Sequence, residues 1–337
     1  MAEVRPFEER DLSEVADLFA RVHPAGDWSR FHPMVFAHPW SDAGLPSWVA
    51  LDAGRVAGFI GAIPRPMRHR SRTLRAAILA PLMVEPAPEL IRAALAGPQD
   101  LTLSEVADGA SRLTWEACGA STLALYGLQW QRQLRASWAP ALLQGMAGRK
   151  STLIEQPLTG ASLCNALETF GSNYALRPRY NPATVEWLLA QARRNGSLQA
   201  RILRQGGRIA GWFLYSLNSG TSQILQLAAR PGAEEAVLAH LLEHARRLGS
   251  RAIEGRLEPR FAREIGRQHG VLQPSGCVVA HARDSELLGA LGAGDAFLSR
   301  LEGESWLHIA GEKQPASPRS VPSTRFWTRL RPQPVVS

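Results

Sequence analysis

The stretch Arg251-Ala252-Ile253-Glu254-Gly255-Arg256-Leu257-Glu258 alternates charge with bulk. Successive side chains of an extended strand point to opposite faces, so Glu254, Arg256 and Glu258 share one face, and Ile253 and Leu257 the other. Three charges on one interior strand are costly unless they pair or meet solvent or ligand. They form either a site or a polar face turned against another part of the chain. Other groupings offer less. His240 and His244 lie one helical turn apart, but Leu241-Leu242-Glu243 between them is not the zinc-binding His-Glu-x-x-His order, and no third ligand is in sight. We expect no metal. Arg65, Arg68, Arg70, Arg72 and Arg75 make a basic connector, open to phosphates or an acidic acceptor or simply solvated. Trp28, His32, His38 and Trp40 fall in one loop that could line an acceptor pocket.

The elements that must position these groups follow from pattern. Val4 to Phe7 reads as a strand, and Asp11 as the cap of a helix with Glu14 completing a capping box. Residues Pro24 to Pro46 read as a long loop. Strands follow at Trp48 to Leu51, Val56 to Ile63 and Ile78 to Val84, then helices at Pro88 to Ala96 and Asp108 to Cys118 around a strand at Leu101 to Leu103. Thr122 to Leu134 closes a first unit. In the second, Ala233 to Leu248 is an amphipathic helix, Ala252 to Leu257 a strand and Arg260 to His269 a helix. Gly54-Arg55-Val56-Ala57-Gly58-Phe59 returns as Gly207-Arg208-Ile209-Ala210-Gly211-Trp212, 153 residues later. A period that long points to a duplicated domain. The expected boundaries are 1–135, a linker at 136–160, a second unit at 161–310 and a disordered tail at 311–337.

Composition bounds the partners. The 337 residues suffice for two cores, and 45% are hydrophobic. No apolar run approaches the roughly 18 residues of a membrane span, and Met1 to Arg10 lacks a signal-peptide core, so a cytoplasmic protein without membrane contact is expected. Cys118, Cys164 and Cys277 form neither a disulfide framework nor a metal spacing and read as buried thiols. The net charge of +8 rests almost wholly on arginine, the only lysines being Lys150 and Lys313. Without aromatics interleaved among basic residues, no nucleic-acid partner is expected.

The order of elements is α+β: two units, each a mixed, mostly antiparallel sheet flanked by helices. It resembles the GNAT superfamily of acyl-CoA-dependent N-acetyltransferases, through Arg5-Pro6-Phe7 with Asp11-Leu12 and through the turn Asp52-Ala53-Gly54-Arg55-Val56-Ala57-Gly58. It also looks like a bacterial tandem-GNAT family, in residues 96–103, 128–132 and 294–304. The resemblance implies transfer of an acetyl group from acetyl-CoA to an amine of a small molecule or peptide. It implies a donor cleft where the fourth and fifth strands splay, with Glu254, Glu85 or Glu105 as general base. Met83, Val84, Trp115, Leu227 and Arg230 would contact the donor, and Gln226, Arg256 and Glu258 the acceptor.

The family's pyrophosphate loop, Arg/Gln-x-x-Gly-x-Gly/Ala, uses backbone N–H groups at a helix N-terminus. Here Val84-Glu85-Pro86-Ala87-Pro88-Glu89 has no glycine and two prolines, and Arg230-Pro231-Gly232-Ala233-Glu234-Glu235 puts two acids in the first turn. The family's proton-donating tyrosine is replaced by Trp115 and Gly266. Two rivals follow: a non-catalytic GNAT-fold binding or scaffold protein, and an acyltransferase whose donor, such as a charged tRNA, lacks the CoA pyrophosphate.

Overall fold

The computed structural model describes residues 3–24, 26–83, 88–106, 109–134, 153–170, 173–274 and 276–301. The first half runs β1 Glu3–Pro6, α1 Leu12–Val22, α2 Trp28–Phe36, β2 Trp48–Asp52, β3 Arg55–His69, β4 Arg72–Met83, α3 Pro88–Leu95, β5 Leu101–Val106, α4 Gly109–Ala117, β6 Ser121–Leu123 and β7 Leu128–Gln133. The second runs β8 Ile154–Pro157, α5 Gly160–Phe170, β9 Leu176–Pro178, α6 Pro182–Asn195, β10 Ser197–Gln205, β11 Arg208–Leu217, β12 Thr221–Ala229, α7 Glu234–Arg247, β13 Ala252–Arg256, α8 Ala262–Arg267, β14 Val271–Pro274, β15 Cys277–Ala282 and α9 Ser285–Gly292. The expected tail, 311–337, lies outside the described residues, as does most of the expected linker, although β8 falls within it.

Two mixed sheets flanked by helices result, and they repeat one plan. The first has the order β1-β2-β3-β4-β5-β15-β6, with β9 added to β3, and the second β8-β10-β11-β12-β13-β7-β14. The repeated hexapeptide explains part of the match. Ala53 and Gly54 turn β2 into β3 with φ of 49° and 78°, and Gly206 and Gly207 turn β10 into β11 with φ of 56° and 77°. Paired positive φ values give the turn whose twist suits a two-residue hairpin. Beyond each turn the register slips, between Ala50 and Leu51 in one unit and between Leu203 and Arg204 in the other. It slips again where the third strand meets the fourth, near Ala80 and at Leu225.

The sheets do not follow the halves of the chain. β7 leaves the first half to lie between β13 and β14, and β15 leaves the second half to lie between β5 and β6. Of Thr122 to Leu134, then, only β6 stays with the first sheet. The exchange occurs where Gly127 passes Gly276: a Cβ on Gly127 would stand 3.2 Å from the Gly276 carbonyl oxygen. Each exchanged strand is anchored by burial. Trp130 sits with Ile253, Leu257 and Phe261, and Val278 and Ala280 sit with Leu103 and Tyr126. Each large apolar side chain so buried is worth about 1.5–3 kcal/mol.

Several local expectations change. The His-, Pro- and Trp-rich loop contains α2, which Asp27 caps by accepting from the Ser29 amide at 3.0 Å. Asp11 does not cap α1; its carboxylate accepts from the Glu8 amide at 2.9 Å in a capping box on the short turn Glu9–Asp11 and is gripped by Arg5 with two bonds of 2.8 Å, while Glu14 accepts from the Val56 amide at 2.7 Å. The basic connector is the continuous β3–β4 hairpin, and its arginines pair with acids, Arg68 with Glu168, Arg70 with Glu286, Arg72 with Asp100 and Asp284, and Arg75 with Asp42. The cysteines are half-buried, and burial raises the pKa of Cys118 and Cys164. Among the described residues no helix is long and apolar enough to cross a membrane.

Candidate active site

Parallel strands hydrogen-bonded at one end only must part at the other. β4 pairs with β5 from Ala76 with Leu101 to Ile78 with Leu103, and β12 with β13 from Thr221 with Ala252 to Gln223 with Glu254. Beyond those pairs each couple separates, and each opening lies beside a register slip. In the first unit Ser104 Oγ bridges the start of the gap by donating to the Leu79 carbonyl at 2.8 Å.

The two registers make Glu105 and Arg256 equivalent, each four residues past the first pair of its strand. They also meet: Arg256 Nη1 donates to Glu105 Oε1 at 2.9 Å. Arg300 Nε lies 3.8 Å from the same oxygen, and burial lowers the Arg300 pKa despite Glu105 and Glu254 nearby. The openings of the two units therefore face one another across an ion pair.

A slot opens here on the first unit's side. Ile78, Leu103, Ser104 and Glu105 form its floor, Arg65 and Met67 of β3 one side, and Arg256 with Phe297, Leu298 and Ser299 the other. It holds about 450 Å³ of atom-free space including its mouth, of which about 40 Å³ is wide enough for the centre of a water molecule. The Arg65 guanidinium lies 4.2 Å from the Trp40 ring centre and 5.7 Å from that of Tyr180, a stacked cation held by aromatic faces. His38 stacks on Trp40, and burial, with Arg65 adding to it, lowers its pKa to about 4. The loop between α2 and β2 thus reaches the slot through Trp40; Trp28 and His32 pack instead against Phe36.

The other expected site residues disperse. Glu254 is buried, with Gln131 donating to it at 3.4 Å and Gln129 also bonded, and desolvation raises its pKa. Glu258 is buried among Arg256, Arg260, Tyr126 and Tyr174; desolvation, partly offset by the two arginines, raises its pKa to about 8. Gln226 accepts from Trp212 Nε1 at 3.2 Å and donates to Ser299 Oγ at 2.7 Å and Tyr180 Oη at 3.3 Å. Met83 and Trp115 are core residues, packed with Phe59 and with Leu90, and Leu227 faces α7 with Leu241. Val84 and Glu85 lie outside the described residues. Ser104 and Tyr180 carry no motif, Ser299 and Arg300 lie in the family-like stretch 294–304 without standing out there, and the tertiary pairing brings all four to the site.

The loop before α7 does not suit a pyrophosphate. The Arg230 amide donates to the Ala210 carbonyl at 2.8 Å and the Ala233 amide to the Arg230 carbonyl at 2.9 Å, while Pro231 has no N–H. Glu234 and Glu235 occupy the first turn, where a helix dipole favours them over a phosphate already carrying negative charge. The buried Arg230 Nε, without a partner among the described residues, is the feature that would suit an anion. In the first unit Pro88 opens α3, and the residues before it are outside the description.

No protein-family model and no curated protein matches the sequence. Solved structures do match the fold. A GCN5-related N-acetyltransferase from Anabaena variabilis ATCC 29413 aligns with a TM-score of 0.61 at 10% identity, over 85% of this chain and 74% of its own. Another from Kribbella flavida aligns with a TM-score of 0.55 at 14% identity, over 87% and 73%. A conserved protein of unknown function from Enterococcus faecalis V583 gives 0.59 at 10% identity, over 84% and 72%. The chain shares the fold of these GCN5-related N-acetyltransferases, as two mixed sheets flanked by helices.

Proposed function

We propose that the protein is an N-acyltransferase that uses acetyl-CoA as donor and a small-molecule or peptide amine as acceptor, and that the first unit does the chemistry. The observation carrying this reading is the slot at the parting of β4 and β5, which ends at an accessible carboxylate, Glu105, oriented by Arg256. Two structures similar in fold are GCN5-related N-acetyltransferases. The repeated turn and slipped registers favour an origin of both units in one duplicated ancestor. The residues fit the reaction without a metal, and the protein would work in the cytoplasm.

A bound thioester supplies an electrophilic carbonyl carbon and a thiolate leaving group. Glu105 accepts the proton that the amine must lose as its nitrogen bonds to that carbon. Arg256 fixes the carboxylate by a charge-assisted bond. Met67, Ile78, Leu103, Phe297 and Leu298 wall the reacting end and exclude water. The slot is narrow, so only the amine and its neighbouring atoms enter; Arg65 stands at the side for an acceptor's anionic or polar group.

The test combines calorimetric binding of acetyl-CoA with thiol release across a panel of primary amines. Glu105→Gln is expected to keep acetyl-CoA binding and lower kcat/KM by about 10²–10⁴-fold, the usual yield of general-base catalysis. Full activity in the variant removes Glu105 as the base. No binding and no thiol release in the parent replaces this reading with a non-catalytic binding protein.

A further inference from the structure

The second unit's opening is filled by its own chain. The Arg300 amide donates to the Leu225 carbonyl at 3.1 Å, at the register slip of β12. Gln226, next along the strand, donates to Ser299 Oγ at 2.7 Å, and the same hydroxyl accepts from the Leu301 amide at 3.0 Å. Arg256, at the end of β13, donates to the Leu298 carbonyl. The Phe297 amide donates to the Leu176 carbonyl at 2.8 Å, and the Ala296 carbonyl accepts from Tyr126 Oη at 2.8 Å. Arg260 anchors the start of the segment through Asp295 at 3.0 Å. Phe297 and Leu301 are fully buried against Trp212, Leu225 and Ala228.

We propose that the cleft between β12 and β13 is a peptide-holding cleft whose ligand is the chain's own segment Ala296–Leu301, so that the protein binds one acyl donor per chain and not two. The geometry makes this more than a filled gap. The segment's backbone bonds to the β12 backbone at the register slip and to the Arg256 side chain at the end of β13, the two strands equivalent to those that part in the first unit. Phe297 and Ser299 are held by the second unit while Leu298 packs with the first, and all three line one wall of the first unit's slot. The second unit's cleft has become the support on which the first unit's acceptor wall is built. The spent amides of the loop before α7 agree, since that loop offers little to a pyrophosphate.

The part of this inference that counts donors rests on the proposed acetyl-CoA binding; the occupancy of the cleft does not. Two measurements keep them apart. Residue-resolved hydrogen exchange of the full chain is expected to show the Phe297, Arg300 and Leu301 amides protected like the central strands of the second sheet, unchanged by saturating acetyl-CoA. Calorimetry is expected to give one acetyl-CoA per chain. Gln226→Leu, which removes the bond to Ser299, is expected to speed exchange at Arg300 and Leu301 about tenfold, the effect of losing roughly one hydrogen bond, and to leave the donor count at one. Unprotected amides in the free protein overturn the inference. So does exchange accelerated by acetyl-CoA, or a second donor bound by the parent or by Gln226→Leu. Protected amides with no acetyl-CoA bound at all would overturn the proposed function and uphold the filled cleft.

Discussion

Replacing Glu258 with glutamine should stabilise the protein increasingly as pH rises from about 4.5 to about 8. Glu258 is 8% exposed, and its carboxyl makes no hydrogen bond or ion pair among the described residues. The two nearby cations are committed elsewhere, Arg256 to Glu105 and the Leu298 carbonyl, Arg260 to Asp295 and the face of Tyr174. Desolvation dominates, and the pKa rises from 4.5 to about 8. Between those values the folded protein holds a proton that the unfolded chain has released, so stability falls as pH rises through that window and is level above it. At about 1.4 kcal/mol per unit, the full penalty is about 5 kcal/mol, and about 3–5 kcal/mol is a realistic expectation once the site relaxes. Glutamine keeps the shape and carries no charge. Urea unfolding at pH 5, 7 and 9 should show parent and Glu258→Gln within about 1 kcal/mol at pH 5, with the variant gaining up to the full difference by pH 9. A variant equally or less stable at pH 9 would mean that Glu258 is ionised and paired with Arg256 or Arg260, and the reasoning would fail.

Three further outcomes are expected. His244 receives the Tyr215 hydroxyl at 2.7 Å and sits 3.3 Å from Glu155, and burial lowers its pKa to about 4. Because the unfolded chain binds that proton first, about 3 kcal/mol of stability is lost as pH falls from about 6.5 to 4; His244→Gln should remove this acid-dependent part while costing about 1–3 kcal/mol at pH 7, read by unfolding at both pH values. Ala53 holds a φ of 49° in a turn whose counterpart carries glycine at Gly206, so Ala53→Gly should raise stability by about 1 kcal/mol in thermal melts. Gly127→Val puts a side chain against the Gly276 backbone at the strand crossing and should cost about 1–3 kcal/mol, whereas an unchanged melting temperature would show that the crossing has slack.

Much of the fold was legible in the chain because it follows from local rules. The alternation of Ile253 and Leu257 against Glu254, Arg256 and Glu258 needs only the period of a strand, and the repeated Gly-Arg-x-Ala-Gly pentapeptide needs only that one turn geometry demands one kind of residue twice. The arginine-rich hairpin was legible as basic but not as paired, since its acids come from Asp42, Asp100, Glu168, Asp284 and Glu286, more than 200 residues away for Arg70 with Glu286 and Arg72 with Asp284. The site was legible only in fragments. Glu105 and Arg256 lie in different units and meet because two sheets of one plan face each other. β7 and β15 could not be assigned to their sheets from sequence, because a strand's pattern records that one face is buried and never against which partner. The same holds for Ala296–Leu301: its apolar residues announce burial, while the cleft that buries them exists only once β12 and β13 have parted. Sequence thus determined the elements and their order, whose causes lie within a few residues. Tertiary structure decided which strand joins which sheet, which opening stays free and which charges share a slot, because those depend on surfaces that distant segments make together.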